Sequence, residues 1–123
     1  MRFSGKEIEI AREIHDFGLP WMPGVGQYVY DLKGVIEKES PFQQGVYFIL
    51  DIKHFIRRAG SVDEIKETMC WLPLWEDCRE ILRGFGVSWE TVRYRIEKKG
   101  AFAGSFEREV LYEIIYEQLA KSS

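Results

Sequence analysis

Apolar residues recur at intervals of three and four over much of this chain, which is the spacing of one buried helix face. The first run covers residues 5–17 and ends at Gly18, and Ser4 with Glu7 has the spacing of a capping box. This pattern predicts a helix over residues 5–17. Later runs of the same period make the predicted fold class mainly α, with α+β as the alternative, and give five or six helices.

Two prolines and two glycines interrupt the pattern at residues 19–26, LPWMPGVG. They predict an ordered loop. We expect three apolar side chains to hold it by packing inward, namely Leu19, Trp21 and Met22. Short β-prone runs follow at residues 27–30 and 35–37, separated by DLKG, whose Asp and Gly suit a tight turn. The sequence therefore predicts a small β-hairpin near residues 27–37.

The centre of the chain has two helix-entry signals. Ser40 before Pro41 favours a helix over residues 41–58 that ends at Gly60, although VYFIL within it is also typical of a buried strand. Ser61 with Glu64 is a second capping-box signature. It predicts a helix that continues through Cys70 until Pro73 interrupts it.

Residues 76–100 have the pattern of two helices joined by a glycine turn. The inward side chains of the first helix are expected to be Cys78, Ile81, Leu82 and Phe85. Gly84 and Gly86 are expected to form the turn, because positive φ costs little only at glycine. Ser88 caps the second helix, whose inner face is predicted to carry Val92 and Ile96.

The stretch GVSWETVRYRI at residues 86–96 is similar to the GVS-x-x-TV start of the recognition helix in many bacterial and phage helix-turn-helix proteins. The resemblance implies double-stranded DNA as a partner, read in the major groove by residues 88–99. The implied DNA-binding residues are Ser88, Trp89, Thr91, Arg93, Tyr94, Arg95, Lys98 and Lys99.

An ordinary packed helix pair is the alternative interpretation of the same segment. Residues 76–100 contain six basic and five acidic residues, which is a weak electrostatic footprint for DNA binding. Glu90, Arg93 and Glu97 have the spacing of intrahelical ion pairs. In this interpretation Trp89 packs on Trp75 or Phe102.

The last predicted helix covers residues 106–120, with Ser105 as its cap. Its apolar residues cover more than one stripe of the surface, so it is either central to the core or shared with a second subunit. The second alternative predicts a homodimer through the helix at residues 106–120.

Composition sets the remaining expectations. The chain has 123 residues, of which 46% are hydrophobic, and a net charge of −3, which indicates one globular domain over residues 1–123 and no extensive basic surface. Without an apolar run of membrane-spanning length or a signal-like N-terminus, we expect a cytoplasmic protein with no membrane partner. The two cysteines, Cys70 and Cys78, are expected to be reduced.

Catalytic and cofactor chemistry find little support in the sequence. His15 beside Asp16 is more typical of a helix end than of an oriented base, and His54 with Cys70 has no supporting motif. GVG at residues 24–26 lacks the further glycine of a dinucleotide fingerprint, and no metal-ligand spacing occurs. We therefore predict no catalytic, cofactor-binding or metal-binding residues.

The favoured function is a non-enzymatic protein-interaction or structural module of a small prokaryotic-type protein. A helix-turn-helix DNA-binding regulator is the alternative, and a small enzyme is a distant third.

Overall fold

A computed structural model describes residues 2–122, except for the side chain of Ala103. In chain order its elements are α1 (Gly5–Asp16), β1 (Tyr28–Asp31), β2 (Val46–Phe48), α2 (Ile52–Ala59), α3 (Val62–Thr68), β3 (Met69–Leu72), α4 (Trp75–Gly84), α5 (Trp89–Lys98), α6 (Ala101–Gly104) and α7 (Glu107–Ser122). The mainly α class is confirmed, and α6 is only a single turn of helix.

The described residues group into two compact units. The first, the sheet unit, contains residues 2–4 and 19–72, and the second, the helical unit, contains residues 5–18 and 73–122. The predicted single domain over residues 1–123 stays a prediction. The helix pair predicted at residues 76–100 lies wholly within the helical unit.

The sheet unit is built on an antiparallel sheet of order β2-β1-β3. Val29, at the centre of β1, lies opposite Tyr47 on one side and Trp71 on the other. Helices α2 and α3 pack on each other, and their Phe55 and Ile65 join Val29 in the buried core of this unit. Both faces of the sheet carry buried side chains, because Val29 lies on one face and Val46 and Leu72 lie on the other.

Helix α7 is the centre of the helical unit, where it packs against α1, α4, α5 and α6. Its buried side chains are Val110, Leu111, Tyr112, Ile114 and Ile115. The phenol of Tyr112 donates a hydrogen bond of 2.6 Å to the carbonyl of Pro73, which fixes the start of the segment that leads into α4. The apolar pattern of α7 is therefore explained by its central place in the core of one chain, which was the first of the two alternatives. The homodimer through residues 106–120 stays a prediction.

The hairpin lies partly where the sequence placed it. The predicted first strand is confirmed as β1, but residues 35–37 form no strand, and β1 pairs with β2 instead. The reason is Asp31, whose carboxylate accepts hydrogen bonds from the backbone N–H groups of Val35 and Ile36 at 3.0 and 2.8 Å. These bonds fold the chain into a side-chain-stabilised turn, so the intervening loop is longer than DLKG.

The predicted helix over residues 41–58 is wrong in its first half. Ser40 donates to the carbonyl of Val46 and accepts from the N–H of Gln43 at 3.4 Å, so it closes a turn before a strand rather than capping a helix. The strand alternative for VYFIL is correct, because residues 46–48 form β2. The helix begins only after Asp51, which accepts from the N–H of Lys53 at 3.0 Å, and it ends at Gly60 as predicted.

Three smaller expectations also need correction. The helix capped by Ser61 ends at Thr68, because residues 69–72 pair with β1 as β3. Met22 is exposed rather than packed inward, whereas Trp21 stacks on Trp71 with ring centroids 5.9 Å apart. Ser105 has left-handed backbone geometry, with φ 58° and ψ 38°, and ends α6 instead of capping α7.

Candidate interaction site on the helix pair

The helix pair of α4 and α5 is closed by local hydrogen bonds that the sequence predicted in outline. Gly86 has φ +77°, so its positive φ makes the turn, while Gly84 is the last residue of α4. The N–H of Val87 then donates to the carbonyl of Leu82 at 3.0 Å. Ser88 caps α5 by accepting from the N–H of Thr91 at 3.2 Å, and the two hydroxyl oxygens lie 2.8 Å apart.

The inner faces of the pair are apolar and closed to solvent. Cys78 and Leu82 of α4 and Val92 and Ile96 of α5 are all buried. Burial, reinforced by the neighbouring Asp77, raises the pKa of the Cys78 thiol far above its ordinary range. Cys78 is therefore a core residue and not a nucleophile at neutral pH.

On the outer side of the turn, one arginine lies between two tryptophans. The guanidinium carbon of Arg79 is 5.2 Å from the ring centre of Trp75 and 4.7 Å from that of Trp89. The two rings meet edge to face with centroids 5.3 Å apart. Each contact lies in the range of an attractive cation–π or aromatic pair, so the three side chains fix one another in place.

This tryptophan–arginine cluster, formed by Trp75, Arg79 and Trp89, borders a cavity of about 200 Å³ between α4 and α5. The residues that line the cavity include Arg79, Arg83, Ser88, Trp89, Leu82 and Val87. Arg83 is held by a hydrogen bond of 2.6 Å to Glu80. We call this cavity and its lining the elbow groove. It offers two guanidinium groups, one hydroxyl and an aromatic edge beside apolar carbon.

Three of the predicted DNA-binding cations are paired with carboxylates. Arg95 makes two hydrogen bonds to Glu117, and Lys99 makes one of 2.9 Å to Glu113, so both are tied to α7. Arg93 donates to Glu97 of its own helix at 3.1 Å. The intrahelical pair is the one that the alternative interpretation of this segment predicted. The two ion pairs between α5 and α7 were not predicted.

The remaining predicted residues are accessible on α5. Thr91, Tyr94 and Lys98 are exposed, and the ammonium of Lys98 lies 5.9 Å from the ring centre of Tyr94. Trp89 is 37% exposed because one side of its ring meets the tryptophan–arginine cluster. Of its two predicted packing partners, Trp75 is the correct one.

The pair between α5 and α7 changes the acid–base behaviour of both its members. The hydrogen bond to Glu117 raises the pKa of Arg95, and the hydrogen bond from Arg95 holds the pKa of Glu117 below its ordinary value. Both pKa shifts arise because the pair stabilises the charged forms of the two side chains. In the folded protein Arg95 is therefore a charged residue that holds α5 to α7, and its predicted contact with DNA stays a prediction.

Of the other residues weighed for chemistry, His54 is exposed on α2, whereas Cys70 is buried in β3. His15 lies 3.9 Å from Asp16, which is an exposed carboxylate at the end of α1. Cys70 and Cys78 are both buried and are not joined by a disulfide. No group of three or more His, Cys, Asp or Glu side chains among residues 2–122 has the arrangement of a metal site.

Sequence reasoning missed the elbow groove, although part of its signal is visible. Trp75 and Arg79 are four residues apart, which places them on one helix face. Trp89 follows the predicted cap of the next helix, and the glycine turn brings it back to that face. The spacing across the turn could have indicated the cluster, but not which side chains line a cavity.

No protein-family model, curated protein or solved structure matches this chain. The resemblance to helix-turn-helix proteins therefore stays a prediction. Within the range 2–122, no helix combines the length and the apolar character needed to cross a bilayer.

Proposed function

We propose that this protein is a non-enzymatic protein-interaction module whose elbow groove receives a side chain of a partner protein. The observation that carries the proposal is Arg79, held between Trp75 and Trp89 at the edge of the cavity. Tryptophan and arginine are the residues most enriched among those that dominate binding energy at protein interfaces. Here they are already ordered, so a partner meets little entropic cost in fixing them.

The size of the elbow groove supports a protein partner over a small-molecule ligand. Its volume of about 200 Å³ is below the roughly 300–1,000 Å³ of pockets that enclose a small molecule or cofactor. Such a space accommodates one inserted side chain. Each guanidinium has a neighbouring carboxylate of α4, Glu76 at 4.0 Å from Arg79 and Glu80 at 2.6 Å from Arg83. Because a guanidinium carries five N–H donors, it can also bind a carboxylate of the partner, so we expect partner segments that combine Asp or Glu with a large apolar residue.

Selection from a displayed library of random peptides tests this proposal. The full chain is used as bait, and enriched peptides are synthesised and titrated against it with tryptophan fluorescence as the signal. We expect peptides that carry an acidic residue beside an apolar one. Binding should weaken by about tenfold or more in Trp89→Ala and in Arg79→Ala, since removal of an interface anchor costs roughly 2 kcal/mol or more.

Tyr94→Ala is the matched control, because Tyr94 is an exposed aromatic of the same helix that does not line the elbow groove. It should bind the selected peptides as the wild type does. Peptides whose affinity is unchanged in Trp89→Ala and Arg79→Ala, or a library that yields no enriched class, would contradict the proposal.

DNA binding is a second candidate, favoured by the exposure of Arg93, Tyr94 and Lys98 on α5. Its expected contacts are those implied by the helix-turn-helix resemblance. The pairing of Arg95 and Lys99 with α7 leaves less free positive charge for phosphates than the sequence indicated. The observation that counts toward this candidate is therefore the accessible face of α5, not its net charge.

Titration of mixed duplex DNA at several salt concentrations tests this second candidate. DNA binding predicts an affinity that falls steeply with salt and is lost in the triple variant Arg93→Ala, Lys98→Ala, Lys99→Ala. It further predicts that Glu113→Gln with Glu117→Gln strengthens binding, because these changes release Lys99 and Arg95. An affinity that is insensitive to salt, or equal in all variants, counts against DNA binding.

A further inference from the structure

Helix α2 of the sheet unit carries a second charged surface, separate from the elbow groove. Its apolar side chains face inward, with Phe55 buried in the core. Its opposite side carries Lys53, His54, Arg57 and Arg58, all of which are exposed. Because positions 53 and 57, and 54 and 58, are four residues apart, these four side chains share one broad face of the helix.

The cations of this face differ from those of α5 in their pairing. None of the ion pairs formed within residues 2–122 includes Lys53, Arg57 or Arg58. On α5, by comparison, Arg93 and Arg95 are both paired. The cations of α2 therefore keep their full capacity to attract an anionic surface.

Exposed apolar side chains lie on the segment that leads into α2 and on the segment hydrogen-bonded beside it. Leu50, which comes just before the capping residue of α2, is 77% exposed, and Val25 is 65% exposed. Hydrogen bonds of 2.9 Å from Gly26 to Ile49 and from Ile49 to Gln27 hold their two chain segments side by side. A surface that joins large apolar groups to cations without carboxylate partners has the composition of a protein interface.

A surface of opposite charge lies on α1 in the helical unit. Glu13 and Asp16 line both of two cavities there, of about 350 and 240 Å³. The larger cavity is also lined by Glu9 and by one cation, Arg12, so its carboxylates outnumber its cations by three to one. The smaller cavity also has Phe17 and Tyr116, whose rings meet edge to face at 5.5 Å. This acidic groove thus places an apolar recess beside carboxylates, which is the complement of an apolar residue beside cations.

We propose that the cationic face of α2 in one copy of this chain docks in the acidic groove of α1 in a second copy. Arg57 and Arg58 would pair with Glu13 and Asp16, and Leu50 would enter the recess beside Phe17 and Tyr116. Contact between two different surfaces of identical chains is heterologous, so each copy retains one unused surface of each sign. Such copies assemble head to tail into a closed ring or an open series.

Sedimentation velocity of the full chain with two charge-reversed variants tests this proposal. The basic-face variant is Arg57→Glu with Arg58→Glu, and the acidic-groove variant is Glu13→Lys with Asp16→Lys. The wild type should self-associate with increasing concentration, more strongly at low than at high salt. Each variant alone presents surfaces of like charge, so we expect its association constant to fall by about tenfold or more.

An equimolar mixture of the two variants should associate again, because each supplies a surface complementary to the other. This recovery separates a direct contact from damage to the fold. Arg93→Glu with Lys98→Glu on α5 is the control and should associate as the wild type does. A wild type that remains monomeric at all concentrations, or a mixture that stays dissociated although the wild type associates, overturns the proposal.

Discussion

The guanidinium of Arg95 donates two hydrogen bonds to the carboxylate of Glu117, with distances of 2.9 Å from Nη1 to Oε1 and 2.6 Å from Nη2 to Oε2. This two-bond pair fastens α5 to α7, and the single bond from Lys99 to Glu113 repeats the connection further along the same two helices. The basic residues that make α5 resemble a DNA-reading helix thus have a structural role as well. Their charge must be assessed together with that of α7.

Loss of this pair should destabilise the fold in a pH-dependent way. The folded-state pKa of Glu117 lies below its ordinary value of 4.5, so the pair contributes stability above that value and loses it as the pH falls through the folded-state pKa. Because both side chains are partly exposed, we expect Glu117→Gln to lower the free energy of unfolding by only about 0.5–1 kcal/mol at neutral pH. Urea unfolding at pH 7 and pH 3 measures the difference.

Glu80→Gln provides the comparison, since Glu80 forms an exposed pair with Arg83 on α4. Its effect should be small at both pH values. A difference between Glu117→Gln and the wild type that persists unchanged at pH 3 would show that the lost stability does not come from the ionised carboxylate.

The glycine turn between α4 and α5 allows a second prediction with an internal control. Gly86 has φ +77°, which disfavours any side chain, whereas an added Cβ at Gly84 meets no atom within 4 Å and needs no positive φ. We expect Gly86→Ala to cost about 1 kcal/mol in the free energy of unfolding. Gly84→Ala should be neutral or stabilising by up to about 1 kcal/mol. Equal effects of the two substitutions would contradict the assigned turn.

The helix pair could be predicted from sequence because its determinants are local. The Ser88 cap acts over three residues, and the glycine turn and the inner positions Val92 and Ile96 lie within one short segment. Such signals depend on backbone conformation and helix period, which a sequence displays directly. The same reasoning identified the start and end of α1 and the Gly60 end of α2.

The sheet was harder to predict because its pairing is not local. β1 lies between strands that begin at residues 46 and 69, and only the folded chain brings them together. The apolar run VYFIL has no period that distinguishes a strand from a helix. The helix-entry signal at Ser40 and Pro41 therefore decided the prediction in favour of a helix, which was wrong. The paired state of Arg95 and Lys99 was unpredictable for the same reason, since their partners lie on α7.

The third prediction concerns the reactivity of the two cysteine thiols. Cys70 and Cys78 are buried, and burial raises the pKa of Cys78 so that the reactive thiolate is suppressed at neutral pH. The folded protein should therefore react with a soluble aromatic disulfide reagent at well under one thiol per chain within minutes. In denaturant, both thiols should react. Rapid labelling of one thiol in the folded protein would show that its unit opens frequently or that the cysteine is accessible.

The fourth prediction concerns the buried ion pair between Glu7 of α1 and Arg108 of α7. Arg108 of α7 donates from Nη2 to Glu7 Oε1 at 3.1 Å, and its Nε also donates to Glu7. Burial lowers the pKa of Arg108, but the hydrogen bond and the charge of Glu7 outweigh that effect and raise it overall. Arg108 thus remains charged in a mostly enclosed site, where Glu7 is its ion-pair partner.

Removing one partner of this pair should be more damaging than removing both. Arg108→Met leaves the Glu7 carboxylate buried without its guanidinium, and we expect a loss of about 3 kcal/mol in the free energy of unfolding. Glu7→Leu with Arg108→Met replaces the pair by apolar groups and should recover part of that loss. The double-mutant cycle is completed by chemical unfolding of Arg108→Met, Glu7→Leu and the double variant. Strictly additive losses would mean that the two side chains contribute independently, and the ion pair would then not be what joins α1 to α7.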